Sequence, residues 1–322
     1  MRPKTKQEDS FVLGKEKRGK SSIPSFVSVI LLIAVIIFMY FIKPMLLRSK
    51  EYDDYISAGS YVKEGVLKGK SSIGLTYNTT EYNRILGANN IVKNILKEAI
   101  AHTGVPAEGD HLCFILFGGY DYTGSVKELK DGSDDLTLNI KINYRTTVKQ
   151  EEELAAKAAE ILDSLNIDGA SDYDKALAIY RYICQNVKYD YDRLDDDSYQ
   201  LKYTAYDAAV NNSAVCAGIA DLFYYLANSA GLDARVDTNS NHAWNFVKVD
   251  DKYYYVDATW DLGRSEDEYE YFLKGWADFD QHMGNVTFGP NGFDNYLVHS
   301  ELGYDLSDYA YGYDPYPLLQ TP

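Results

Sequence analysis

From Ile23 to Ile42 the chain reads IPSFVSVILLIAVIIFMYFI, twenty residues without a charge. At ~1.5 Å rise per residue a helix of that length spans roughly 30 Å, the thickness of a bilayer's hydrocarbon core. A helix apolar on every side has no polar face to turn toward water, so it belongs inside a membrane rather than on the surface of a soluble domain. Arg2, Lys4, Lys6, Lys15, Lys17, Arg18 and Lys20 precede it. That cationic flank predicts a cytoplasmic tail over 1–22, a single spanning helix over 23–42, and an extracellular body after it. A cleaved leader would need small residues after its apolar stretch, and Met45-Leu46-Leu47-Arg48 supplies none.

Charge separates the two ends of the chain. Residues 1–43 hold eight Lys/Arg against three Asp/Glu, while the whole 322-residue protein carries −16. The body is therefore strongly acidic and repels phosphate backbones, which argues against a nucleic-acid partner. Three cysteines, Cys113, Cys184 and Cys216, are too few and too scattered for a disulfide framework. An odd thiol then needs another reason to be present. His102, His111, His282 and His299 show no zinc spacing with cysteine or with one another. The acidic stretch starting at Asp190 lacks the glycine and terminal glutamate of a calcium loop and reads as a solvated loop.

The body reads as α+β. Residues 43–70 are mixed, with a weak helical stretch at best, and read as a stalk. An α+β subdomain follows over 71–148: Asn90–His102 has helical character, HLCFILF (111–117) reads as a buried strand, and LTLNIKINY (136–144) alternates as a half-covered strand should. The main domain is placed at 149–294. EEELAAKAAEILDSL (151–165) is a helix with acid in its first turn, and Ser171 caps a second helix with Leu177, Tyr180, Cys184 and Val187 on one stripe. A third helix runs from Ala214 to Ala230, closed by Gly231. HAWNFVKV (242–249) and KYYYVDA (252–258) form a hairpin about Asp250-Asp251. The Tyr-rich tail, 295–322, reads as irregular.

Cys216 falls where a polar loop enters the third helix. Unpaired backbone N–H groups and the positive end of the helix dipole favour thiolate there, the form that attacks carbonyl carbon. Cys184 and Cys113 sit on apolar faces and read as core. A two-residue turn at 250–251 pairs 249 with 252 and 244 with 257, which puts His242 and Asp257 on one face as diagonal neighbours. The carboxylate then fixes the imidazole tautomer, and the other ring nitrogen is left for a thiol. A one-residue slip would separate them.

VCAGIADLFYYLANSAGLDARV followed by NHAWNFVKVDDKYYYVDATWD resembles the core of the bacterial transglutaminase-like superfamily. IYRYICQNVKYDY, TAYDAAVNNSAVC and YFLKG are similar to its flanking stretches, and the resemblance spans roughly 150–285. It implies a papain-like core in which a helix-borne cysteine packs on an antiparallel sheet, with Cys216, His242 and Asp257 as catalytic triad. It also implies a groove for a protein or peptide substrate at the cell surface, to which Trp244, Tyr206 and Trp260 are assigned. The implied chemistry is acyl transfer or hydrolysis at amides through a thioester, with no cofactor and no metal. The chain departs from the family after the cysteine, where members often carry Gln then Gly-Tyr and this sequence has Ala217, Gly218 and Ile219. That departure and the tyrosine-rich tail motivate a competing expectation, a non-catalytic surface module binding cell-wall or protein ligands. Binding alone, however, does not require three chemically matched groups. Oligomeric state is not legible in the sequence.

Overall fold

A computed structural model describes residues 50–80, 82, 87–116, 119–238 and 241–275. The chain divides into two compact units, Met1–Arg48 and Ser49–Pro322, and all described residues belong to the second. The expected membrane helix over 23–42, the Tyr-rich tail, His282 and His299 lie outside the described residues. Among the described residues no helix is long and apolar enough to cross a membrane.

The architecture is α+β, as expected. Its first half is a four-stranded sheet in the order β1 (Lys50–Tyr52), β2 (Ser72–Thr79), β4 (Asp134–Ile142), β3 (Tyr120–Glu128), parallel only between β1 and β2. The alternation read in 136–144 is real: Leu136, Leu138, Ile140 and Ile142 are all buried, and Tyr77, Leu75 and Ile73 oppose the first three. Three helices share this core: α1 (Tyr55–Leu67), α2 (Gly87–Ala99) and the short α3 (Asp110–Ile115).

Two expectations need correcting here. Residues 50–67 do not form a stalk; β1 and α1 build part of the core through Ala58, Val62 and Val66. The contact face of α1 was hard to read because it includes Gly59 and Gly65, whose missing side chains allow close approach. A Cβ on Gly59 would lie 2.4 Å from Glu98 Cβ, and one on Gly65 2.8 Å from Ile73 Cδ1. The described part of HLCFILF is likewise not a strand. His111–Ile115 belong to α3, in which every residue from Asp110 to Ile115 is buried. A short apolar run enclosed on all sides has no period that distinguishes helix from strand.

The second half begins with α4 (Val148–Leu165), opened by a capping box between Thr147 and Gln150. Then come α5 (Asp172–Asn186), capped by Ser171 as expected, and β5 (Lys188–Tyr189), followed by α6 (Ala205–Val210), β6 (Ser213–Ala214) and α7 (Cys216–Ser229). A three-stranded antiparallel sheet closes the unit: β7 (Ala234–Thr238), β8 (Ala243–Val249) and β9 (Lys252–Val256). The hairpin register is the expected one, Val249 opposite Lys252 and Asn245 opposite Val256, with Asp250 taking φ 55° in the turn.

This sheet is buried on both faces. Trp244, Phe246, Tyr253 and Tyr255 join the core of the first half. The intervening Val247, Val249, Tyr254 and Val256 join a second core with α4, α5, α6 and α7. The alternation of strand side chains therefore fastens one sheet to two cores and fixes the hairpin against α7.

Candidate active site

Cys216 is the first residue of α7, and it is partly exposed while most of the helix after it is buried. Three contacts seat this helix start. Val215 N–H donates to the Lys202 carbonyl at 3.0 Å. Gly218 lies so close to the preceding loop that a Cβ there would stand 2.8 Å from the carbonyl oxygens of Lys202 and Thr204 and from Ala214 Cβ. Asn245 Nδ2, from β8, donates to the Ala220 carbonyl at 2.9 Å and to the Arg235 carbonyl at 3.1 Å, which ties α7 to the sheet. Of the two residues that depart from the family pattern around Gly218, Ile219 is in the core and Ala217 packs beside Phe114 and Ala243.

His242 and Asp257 stand at the open end of the hairpin. His242 Nε2 lies 2.6 Å from Asp257 Oδ2, and Asp257 is 1% exposed. The second carboxylate oxygen accepts from the Thr259 backbone N–H at 2.8 Å. Burial disfavours the imidazolium, but the Asp257 hydrogen bond, the Cys216 side chain and the Asp257 charge outweigh it and push His242 up to about 10. The ring is thus held charged at neutral pH with the cysteine side chain as its other neighbour. The structure brings the three expected residues together.

Asp257 is itself held from behind. The fully buried Tyr180 hydroxyl lies 2.8 Å from the Asp257 carbonyl and 2.7 Å from Asp261 Oδ2. Asp261, 0% exposed, also accepts from the backbone N–H groups of Glu270 and Tyr271. Burial, assisted by nearby acidic groups, keeps the Tyr180 phenol protonated. Tyr180 and Asp261 were not singled out in the sequence as parts of the site.

Tyr189 is a further residue the sequence reading missed. Burial raises its phenol pKa, followed by the charge and hydrogen bond of the Cys216 side chain, while a backbone hydrogen bond from Cys216 opposes the rise. Its phenol therefore lies beside Cys216. The parallel pairing of β5 with β6, Tyr189 opposite Ala214, places it there. Its signal in the sequence was its place in IYRYICQNVKYDY, a stretch similar to the family's flank.

A cleft of ≈ 860 Å³ opens beside this centre, walled by Tyr189, Tyr191, Leu194, His242, Trp260 and Arg264 among others. Cys216 is not one of the wall residues; two that are, Tyr189 and His242, both contact its side chain. Trp260 fits its expected place: it is 37% exposed and stacks on the His242 ring at 5.3 Å and 22°. Trp244 and Tyr206 do not line the cleft. Trp244 is 1% exposed and backs His242 from inside the core at 5.9 Å. Tyr206 turns to α4, where its hydroxyl donates to Glu153 at 2.9 Å. Trp244 has the parity of His242, but parity does not tell an outer position from an inner one.

The remaining cysteines are core residues, as read. Burial, then the Asp261 charge, holds the Cys184 thiol well above its ordinary range, and Cys113 packs within α3 with its sulfur 3.8 Å from the Gly109 carbonyl. Among the described residues no group of His, Cys, Asp and Glu is arranged to hold a metal. The acidic loop after Asp190 wraps the buried Lys202, whose ammonium donates to the carbonyls of Arg193, Leu194 and Asp196 at 2.6, 2.8 and 2.8 Å.

Comparison with known proteins gives a family match over part of the chain. Residues 159–258 match the family described as the transglutaminase-like superfamily, so the chain carries a transglutaminase-like domain. A solved structure titled "Crystal structure of a TGase" is similar at 17% identity and a TM-score of 0.31. That match covers 61% of this chain and 55% of the other, so it spans about half the length of that protein. A search of curated proteins finds no match.

Proposed function

We propose that this protein is a membrane-tethered extracellular enzyme that transfers or hydrolyses acyl groups of protein or peptide amides through Cys216. The observation that carries the reading is the contact of a buried carboxylate with an imidazole whose other neighbour is a cysteine at a helix start. In the proposed reaction the Cys216 sulfur attacks the amide carbonyl carbon, and an S–C bond forms as the C–N bond breaks. His242 gives its proton to the departing amine, and Asp257 keeps the ring oriented. The developing oxyanion is assigned to the Cys216 backbone N–H and the Tyr189 hydroxyl, and the interaction of Tyr189 with Cys216 supports this. An amine or water then attacks the thioester, His242 accepts its proton, and the thiol is regenerated.

Tethering is part of the proposal and rests on the uncharged segment 23–42 with its cationic flank. Protease added to intact cells should remove the domain and leave the N-terminal tail protected; the reverse pattern would overturn the orientation. Activity is tested by screening glutamine-donor proteins and peptides with the wild type and Cys216→Ala. Turnover by the wild type alone supports the assignment, and equal turnover by both contradicts it.

A further inference from the structure

The helix carrying Cys216 is joined to the first half of the fold by a buried cluster of charges. His111, 1% exposed and second in α3, points Nδ1 at Asp221 Oδ1 (2.9 Å) and Nε2 at Glu151 Oε2 (2.8 Å). A carboxyl group at each ring nitrogen favours the doubly protonated imidazolium; burial raises the Asp221 pKa, and the Asp221 and Glu151 charges outweigh the cost of burying the ring. Asp221 lies five residues into α7, roughly 7.5 Å along the axis from Cys216, and is 0% exposed. Its second oxygen accepts from the Ala205 N–H at 2.7 Å, the first residue of α6. Glu151 belongs to the first turn of α4. One imidazolium thus connects α3, α4 and α7, and through Asp221 also α6.

Other groups facing this cluster include Tyr225, whose ring meets His111 edge-on at 5.1 Å, Thr146 beside Glu151, and Arg145, whose charge acts on Asp221. Arg145 is held by the Gln200 side chain and the Phe114 carbonyl. Two cations therefore face two carboxylates. The adjacent residue of α3 repeats the device on β7: Asp110 accepts from Arg235 Nε and Nη2, both at 2.9 Å, and from Val236 N–H at 2.8 Å. Adhesion alone does not call for such groups, because well-packed apolar side chains often stabilise as much as a buried ion pair. What directed charges add is a fixed distance and angle between the parts they join.

From this geometry we infer that His111 is a positioning residue for Cys216, holding α7 at the depth and rotation at which the thiol meets His242. The first half of the fold is then a working part of the catalytic unit. This inference rests on the triad reading above.

The test is the rate of Cys216 alkylation by iodoacetamide in the full chain, followed by peptide mass spectrometry from pH 5.5 to 9, with Cys113 and Cys184 as internal reporters of unfolding. In the wild type Cys216 should label first and still react at pH 6; if it does not, the triad reading falls and the inference with it. In His111→Gln the Cys216 rate at pH 6 should drop by roughly tenfold to a hundredfold, the penalty of a misplaced reacting group, and climb with pH as an isolated thiol's does. Cys113 and Cys184 should stay protected. A folded His111→Gln with the wild-type rate and profile overturns the inference and leaves the triad intact. Should that variant not fold, Glu151→Gln decides, since it keeps the His111–Asp221 pair: a several-fold loss at Cys216 supports positioning, and an unchanged rate overturns it.

Discussion

His242 Nε2 stands 2.6 Å from Asp257 Oδ2, although each residue lies one position beyond the strands that pair them. The hairpin register sets their common face, and the Tyr180–Asp261 anchor behind Asp257 holds the acid in reach. If that contact orients and charges the ring, Asp257→Asn should cut turnover by roughly a hundredfold or more while the far-ultraviolet spectrum is unchanged. The His242 pKa should fall in the same variant, which a proton titration by NMR can read. Full activity in Asp257→Asn would remove the acid from the mechanism.

Tyr189 lies beside Cys216, and in the proposed oxyanion role its hydroxyl should matter more to acyl chemistry than to simple alkylation. Tyr189→Phe is expected to lower amide turnover by roughly a hundredfold to a thousandfold, the range for loss of one oxyanion donor. Alkylation by iodoacetamide, which forms no oxyanion, should change only a few-fold. Equal losses in both assays would mean that Tyr189 serves only to seat the cysteine.

Gly218 packs closely against the preceding loop at the start of α7. An alanine methyl would sit 2.8 Å from two backbone carbonyl oxygens that cannot swing aside. Gly218→Ala should cost about 1–3 kcal/mol of stability, measured by urea unfolding, and slow Cys216 labelling as the helix start shifts. An unchanged midpoint and rate would show that the loop over 202–204 yields freely.

His111 and His242 are both pushed up to about 10 from an ordinary 6.5: burial opposes the charge in each, and the neighbouring carboxylates overcome it. A raised folded-state pKa means that the folded protein holds the proton more tightly than the unfolded chain. That stability is complete below pH 6.5 and is lost as pH rises toward 10. Tm should therefore decline between pH 7 and 9.5, below the ordinary range of tyrosine ionisation, and His111→Gln should flatten the slope. A Tm that rises across this window would contradict charged histidines in the fold.

Much of the site is written locally. The turn at Asp250-Asp251 and two alternating strands specify which residues share a face, and register follows from counting. Ser171 caps α5, and the apolar face of α7 marks the helix, although it starts at Cys216 rather than at the expected Ala214, which pairs in β6. What could not be read is the set of relations between residues far apart in the chain. His111 and Asp221 are 110 positions apart, Asp110 and Arg235 125 positions apart, and no local period links them. Helix α1 was illegible for a different reason: its packing face uses glycine where hydrophobic periodicity looks for bulk. Trp244 shows the limit of face assignment, since alternation gives the side of a sheet but not whether water reaches it.

The central claim is that Cys216 works with His242, and selective alkylation tests it most directly. Full-length protein is treated with limiting iodoacetamide at pH 6, and modification of the three cysteines is compared between the wild type and His242→Ala. The account predicts rapid modification of Cys216 alone, lost when His242 is removed. Slow and equal modification of Cys113, Cys184 and Cys216, or a Cys216 rate indifferent to His242→Ala, would contradict it.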